Sequence, residues 1–195
     1  MLYNERCNSL SKFLKKGENV MLTHFAKIIK YDTGNWDGVN TTIFFSGCRF
    51  KCPGCFNTDA QDFGYGHIFD DCAQELLIEF AKDVHVDGVC ILGGEPFQQD
   101  LTMLNILVRK IKFLTGKPIH IWSGYVWEEL IKDPRKRDIL RYCDTLVDGQ
   151  FEIDKKDITL KYRGSSNQRV IDTKKSLEEG YIVEVQQWKS TVKQY

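Results

Sequence analysis

Three cysteines fall within eight residues, Cys48-Arg-Phe-Lys-Cys52-Pro-Gly-Cys55. Thiolates packed on one tight loop are soft donors, suited to iron–sulfur clusters or zinc and not to hard cations. Three such ligands can hold three irons of a cubane and leave the fourth iron open, whereas a four-cysteine set would close it. An open coordination position is what separates catalytic metal sites from structural ones. The spacing departs from the two-residue gaps of ferredoxins, and Cys72, the next cysteine, stands seventeen residues beyond Cys55. The competing reading is a structural zinc site closed by His67 or Cys72. The chain holds seven cysteines, an odd number. Glu5 and Arg6 precede any apolar stretch, so no secretory leader is visible and a disulfide framework is not expected. Cys90 and Cys143 sit in apolar surroundings and read as core residues.

Four more segments carry polar or glycine-rich chemistry. GGEP (93–96) places two residues without Cβ at a strand end, where backbone can approach a ligand closely, followed by a carboxylate able to accept from a cationic amine. SGY (123–125) and DGQF (148–151) close two later apolar runs, and Asp148 reads either as a site residue or as a helix cap. RGSSNQR (163–169) crowds two arginines, an asparagine, a glutamine and two serines into seven residues. It must satisfy itself in a structured turn or satisfy a neighbour, because burying such groups unpaired costs about 1–3 kcal/mol each. The four histidines share no ligand spacing.

These segments need a scaffold. At 195 residues the chain is long enough for one domain with a sizeable core. Its 27 basic and 27 acidic residues cancel, so no overall field draws in nucleic acid or anionic lipid. KKGEN, KDPRKR and DKKD are short mixed-charge turns without stacking aromatics for nucleic acid. A mean hydropathy of −0.36 agrees with the lack of any membrane-spanning run, and a cytoplasmic location is expected. Residues 1–20 carry a weak helical pattern (Leu10, Phe13, Leu14), so 1–24 reads as an N-terminal extension and 25–195 as a single domain. The pattern predicts an edge strand at Phe25–Tyr31, a turn-rich loop at Thr33–Asn40 and strands at Thr41–Phe45, Gly88–Leu92, Pro118–Trp122 and Thr145–Val147. A further strand is expected at Tyr181–Val185. Helices are predicted after Asp70 or Asp71, over Leu101–Leu114 closed by Gly116, and over Val126–Tyr142 interrupted at Pro134. Alternation at this spacing implies βαβ units, a parallel sheet and right-handed crossovers. In such folds functional loops gather at the C-terminal strand ends. There the cysteine loop, GGEP, SGY and DGQF would share one rim.

The cysteine loop after the first core strand, with GGEP ending the next, resembles the radical S-adenosylmethionine (radical SAM) superfamily. The resemblance implies an α/β fold of the partial parallel (β/α) barrel type and a [4Fe–4S] cluster on Cys48, Cys52 and Cys55. It implies that the amine and carboxylate of SAM chelate the open iron, with Gly93, Gly94 and Glu95 near the amine. Gly54, Cys55, Phe56 and Ser123 are further cofactor contacts on this reading. A branched side chain at Gly94 would then block SAM and spare the cluster. Many members carry an aromatic residue just before the third cysteine, where this chain has Gly54. Within the superfamily, SGC…KCPGCFN, GGEP, WSGY, LVDGQF and RGSSNQR, in this order from Thr41 to Arg169, resemble the activases of anaerobic ribonucleoside-triphosphate reductase. That implies reductive cleavage of SAM to a 5′-deoxyadenosyl radical and formation of a glycyl radical on the reductase large subunit. An electron donor such as flavodoxin is implied as well. Arg163, Asn167 and Arg169 would close the site or dock the partner. The rivals are another radical SAM enzyme, such as a pyruvate formate-lyase activase or a small-molecule enzyme, and a non-catalytic zinc module.

Overall fold

Every residue of Asn40–Ser46 is buried, as expected of a β-branched and aromatic strand covered on both faces. It belongs to a sheet of seven strands: β1 (His24–Asp32), β2 (Asn40–Ser46), β3 (His67–Ile68), β4 (Gly88–Gly93), β5 (Ile119–Trp122), β6 (Thr145–Asp148) and β7 (Arg169–Asp172). The computed structural model describes residues 22–185. The helical pattern expected over residues 1–20, most of the expected extension and Cys7 lie outside the described residues. The strand order is β3-β1-β2-β4-β5-β6-β7. β2, β4, β5 and β6 pair in parallel, while β1, β3 and β7 run antiparallel to their neighbours.

The fold is therefore α/β with a mixed, open sheet, which corrects the expectation of a parallel one. Connection length explains the first antiparallel pair. Only residues 33–39 join β1 to β2, too few for the dozen or more that a parallel crossover requires. β1 is not the edge either, because the two-residue β3 pairs outside it. The strand expected at Tyr181–Val185 reduces to one bridge, Ile171 with Glu184, and β7 takes the edge position instead.

Among the described residues four helices lie between these strands, α1 (Asp71–Ala81), α2 (Leu101–Thr115), α3 (Trp127–Leu130) and α4 (Pro134–Leu140), and α5 (Thr173–Glu179) follows β7. Their ends follow the sequence signals. Asp70 accepts from Ala73 N, Asp100 from Thr102 N and Met103 N, and Gly116 closes α2 in the left-handed conformation. Pro134 starts α4, which is why the apolar run from Val126 splits into two helices. Right-handed crossovers along the parallel strands β2-β4-β5-β6, whose order never reverses, place successive helices on the same face. Accordingly Leu77, Leu107, Ile111, Leu130 and Ile139 share one core with Ile43, Ile91, Ile121 and Leu146. No helix among the described residues is long and apolar enough to cross a membrane.

The other face carries Phe44, Cys90, Leu92, Val147 and Val170, and loops cover it in place of helices. Trp36 stacks on His120 with ring centroids 4.1 Å apart and leans on Tyr162 at 4.2 Å. Trp122 Nε1 donates to the Tyr162 carbonyl at 2.7 Å. At the opposite end of the strands from the rim loops, Asp144 accepts from Lys112 Nζ and Ile119 N, each at 2.8 Å, tying α2 to β5.

Burial beneath Trp36 pushes the His120 imidazole down to about 4. The native state thus holds fewer protons than the unfolded chain between about pH 4 and 6.5, and this contribution to stability is lost as pH falls through that window. His120→Phe removes the titration and keeps a ring against Trp36. Relative to wild type, the variant should gain about 2 kcal/mol between pH 7 and pH 5, at about 1.4 kcal/mol per pKa unit. Urea unfolding of both proteins at the two pH values measures this, and parallel changes would show that His120 is not the titrating group.

Candidate functional site

The four rim loops are joined by hydrogen bonds and packed rings. β2 ends at Ser46 and the chain turns at Gly47, where φ is +103° and a Cβ would fall 2.2 Å from the Phe63 ring. Gly47 N donates to Ala60 O at 2.8 Å and Cys48 N to Gln61 O at 3.0 Å. The Gly47 carbonyl accepts from Glu95 N at 2.9 Å and Gln99 Nε2 at 3.1 Å. Arg49 N donates to Gln98 Oε1 at 2.7 Å. The root of the cysteine loop is thus fixed to the GGEP loop through Gln98 and Gln99, two residues that no motif marks in the sequence.

The glycines of GGEP serve the same junction. A Cβ on Gly93, where φ is +114°, would lie 2.4 Å from Phe45 O, and one on Gly94 would lie 2.5 Å from Gly47 O and 2.8 Å from Ala60 O. The close approach read from the sequence is real, but here the group approached is the protein's own backbone.

Cys48, Cys52 and Cys55 are free thiols, each half-buried, on a loop bent by left-handed Lys51 and Gly54. Burial pushes the Cys48 thiol up, opposed by the Phe50 and Lys51 backbone N–H groups at its sulfur. Burial also raises the Cys52 thiol, opposed by the Phe151 N–H. Gln150 Oε1 stands 3.8 Å from Cys52 Sγ. At Gly54 a Cβ would meet Ile153 at 2.8 Å. The left-handed φ of +70° at Gly54 strains any side chain there, an aromatic one included. Phe50 packs edge-on against Tyr125 at 4.8 Å and covers Gly124, where a Cβ would fall 2.6 Å from its ring.

Glu95 is 1% exposed. Its Oε1 accepts from Phe97 N (3.0 Å) and Ser123 Oγ (2.9 Å), and its Oε2 from Gly124 N (2.6 Å). Burial lifts this carboxyl to about 7, against the pull of these three donors. The resemblance places Glu95 near an amine, yet in this structure both its oxygens brace the SGY loop. Asp148 is fully buried, accepts from Trp127 N at the start of α3 at 2.7 Å, and is paired by Arg169. Arg169 also meets both carboxylate oxygens of Glu128, at 3.1 and 2.9 Å, so its guanidinium is committed within the protein. Gln168 Oε1 accepts from Gly164 N and Ser165 N, its Nε2 donates to Gly149 O at 2.9 Å, and Asn167 Nδ2 donates to Gln150 O at 2.8 Å. Arg163 Nη1 donates to Gln168 O at 3.0 Å. RGSSNQR is a structured turn clasped to the DGQF loop. Phe56 is 99% exposed beside Cys55.

The donor set fits a three-thiolate cluster: three free thiols on one loop, backbone N–H groups aimed at two of the sulfurs, and roots tied to the sheet. Among the described residues no three His, Cys, Asp or Glu side chains converge as on a single ion. His67, the alternative zinc ligand, instead packs its ring 5.6 Å from Phe25 in the β1–β3 pair.

Gly94→Val tests the junction. The structure corrects the expectation that such a side chain would block only a ligand, because it would strike the Gly47 and Ala60 carbonyls. Iron and acid-labile sulfide retained after anaerobic reconstitution should fall to less than half of the wild-type value. Full retention would show that the two loops can separate without loss of the cysteine geometry.

Comparison with known proteins agrees with this geometry. Residues 35–171 match the family model described as a 4Fe-4S single cluster domain. The anaerobic ribonucleoside-triphosphate reductase-activating protein of Pasteurella multocida is 37% identical over 141 residues, 70% of this chain and 89% of that protein. The Escherichia coli K12 protein of the same name is 34% identical over 143 residues, 71% of this chain and 92% of its own length. The one from enterobacteria phage T4 is 30% identical over 152 residues, 75% and 92% respectively. With three free thiols at the mouth of the rim and these relatives aligned across it, the chain belongs to the family of anaerobic ribonucleoside-triphosphate reductase-activating proteins.

Proposed function

We propose that the protein is a radical SAM activase that generates a glycyl radical on the large subunit of an anaerobic ribonucleoside-triphosphate reductase. The observation that carries the reading is the three-thiol loop fastened at the rim where four strand-end loops meet. When bound, a [4Fe–4S] cluster and SAM supply a one-electron reductive cleavage that yields methionine and a 5′-deoxyadenosyl radical. Cys48, Cys52 and Cys55 hold the cluster. The GGEP loop and the Ser123–Gly124 backbone, which Glu95 keeps in register, orient SAM, with Gly54 and Phe56 at the mouth. On the substrate side, exposed Phe56 offers the apolar contact for a partner segment, and the RGSSNQR turn closes the site. Helices confined to one face and a four-strand parallel core support a partial (β/α) barrel whose inner face is floored by Trp36 and Tyr162. Residues 25–195 then form one radical SAM domain, with 1–24 as an extension. A recess beside Cys48 lined by Arg49, Lys51, Gln61, Asp62 and Phe63 supports approach of an acidic electron donor such as flavodoxin.

Two measurements test the reading. After anaerobic reconstitution, Cys48→Ala, Cys52→Ala and Cys55→Ala should each lose the reduced-cluster EPR signal, while Cys90→Ala, in the core beneath the loops, keeps it. Anaerobic incubation with the reductase, SAM and reductant should then produce the glycyl-radical EPR doublet with wild type, and at least tenfold less with each loop variant. A colourless wild-type protein carrying one zinc would overturn the cofactor, and a cluster that cleaves SAM without any doublet would overturn the partner.

A further inference from the structure

The DGQF loop is tethered from the RGSSNQR turn at almost every residue. Gly149 O receives Gln168 Nε2, Gln150 O receives Asn167 Nδ2, and Glu152 N donates to Ser165 Oγ at 3.2 Å. The turn is itself anchored by Ser166 N on Lys155 O at 2.9 Å and by Arg163 on Gln168 O. Two groups of the loop are left to face the cysteines. The Phe151 N–H is aimed at the Cys52 sulfur, and the Gln150 side-chain amide reaches the same sulfur at 3.8 Å.

The donors at Cys48 come from its own loop, through Phe50 and Lys51, whereas Cys52 has, besides its own N–H, that of Phe151 at a strand end 99 residues away. In the free protein the Cys52 thiol donates to Gln150 Oε1. A metal-bound thiolate has no proton and can only accept, so the Gln150 amide meets it through its NH2 after half a rotation, with the heavy atoms in place. A donor aimed at a cluster sulfur favours the state carrying one more electron, and such hydrogen bonds are among the features that set cluster potentials.

We propose that the Arg163–Arg169 turn is a redox brace, which holds Gln150 and Phe151 on the Cys52 sulfur and thereby raises the reduction potential of the bound cluster. This rests on the cluster reading above. It assigns Gln150 and Asn167 as positioning residues, for a task that neither the cysteine motif nor the SAM loop performs.

The test is an EPR-monitored redox titration of the reconstituted protein without SAM, preceded by iron and sulfide assay. Gln150→Leu and Asn167→Asp should each load wild-type iron and sulfide. Each should need at least a tenfold more reducing poise for half reduction, about 59 mV for a one-electron couple. Ser166→Ala, an exposed change in the same turn, should titrate with wild type. Wild-type potentials in both Gln150→Leu and Asn167→Asp overturn the brace. A measurement that needs no variant is pulsed EPR of wild-type protein carrying 15N only in glutamine side-chain amides. A 15N coupling to the reduced cluster is expected, and its absence overturns the Gln150 contact. Wild type without iron and sulfide in the first assay overturns the cluster reading itself, before any potential is read.

Discussion

The carbonyl of Gly47 is the point from which the site is built. It accepts from Glu95 N and from Gln99 Nε2, and so joins the end of β2 to the end of β4 by backbone and side chain together. Gly93 and Gly94 lack Cβ because two strand ends must touch without side chains between them, and Gly47 because a Cβ would strike the Phe63 ring. Once that contact is made, Glu95 is carried to a place where its carboxylate can gather Ser123 Oγ and Gly124 N. The junction thereby extends to a third strand end. Asp148 completes the series by accepting from Trp127 N and Arg169.

A carboxylate as enclosed as Glu95 is costly unless its acceptor sites are filled. Three donors fill them here, two of them backbone N–H groups fixed by the start of the Pro96–Gln98 turn and by the SGY loop. The buried carboxylates Glu95 and Asp148 are thus spent on internal order, while Arg49 and Lys51 carry exposed charge on the cysteine loop.

Much of this was legible in the sequence. Strands buried on both faces leave continuous apolar runs, so β2, β4, β5 and β6 were readable, as were the capping aspartates and Gly116. The cysteine loop and GGEP stood out because their residue types have few other uses. What stayed hidden depends on partners distant in the chain. β7 contributes only Val170 and Ile171 as apolar signal, and Arg169 looks like a surface residue until Asp148 and Glu128 are found around it. Gln98, Gln99 and Gln150 are ordinary polar residues whose roles arise from contacts across 49, 52 and 98 positions. The glycines of GGEP were legible as a close approach, but not the identity of what they approach.

The clasp between Asn167 and the Gln150 carbonyl carries a consequence for biosynthesis. The three cysteines leave the ribosome early, yet the loop that covers Cys52 is clasped by Asn167, made more than a hundred positions later. A nascent chain can offer three thiols long before it can shelter anything bound to them. A polypeptide ending before Asn167 would therefore present the cysteine motif without this clasp over its cover.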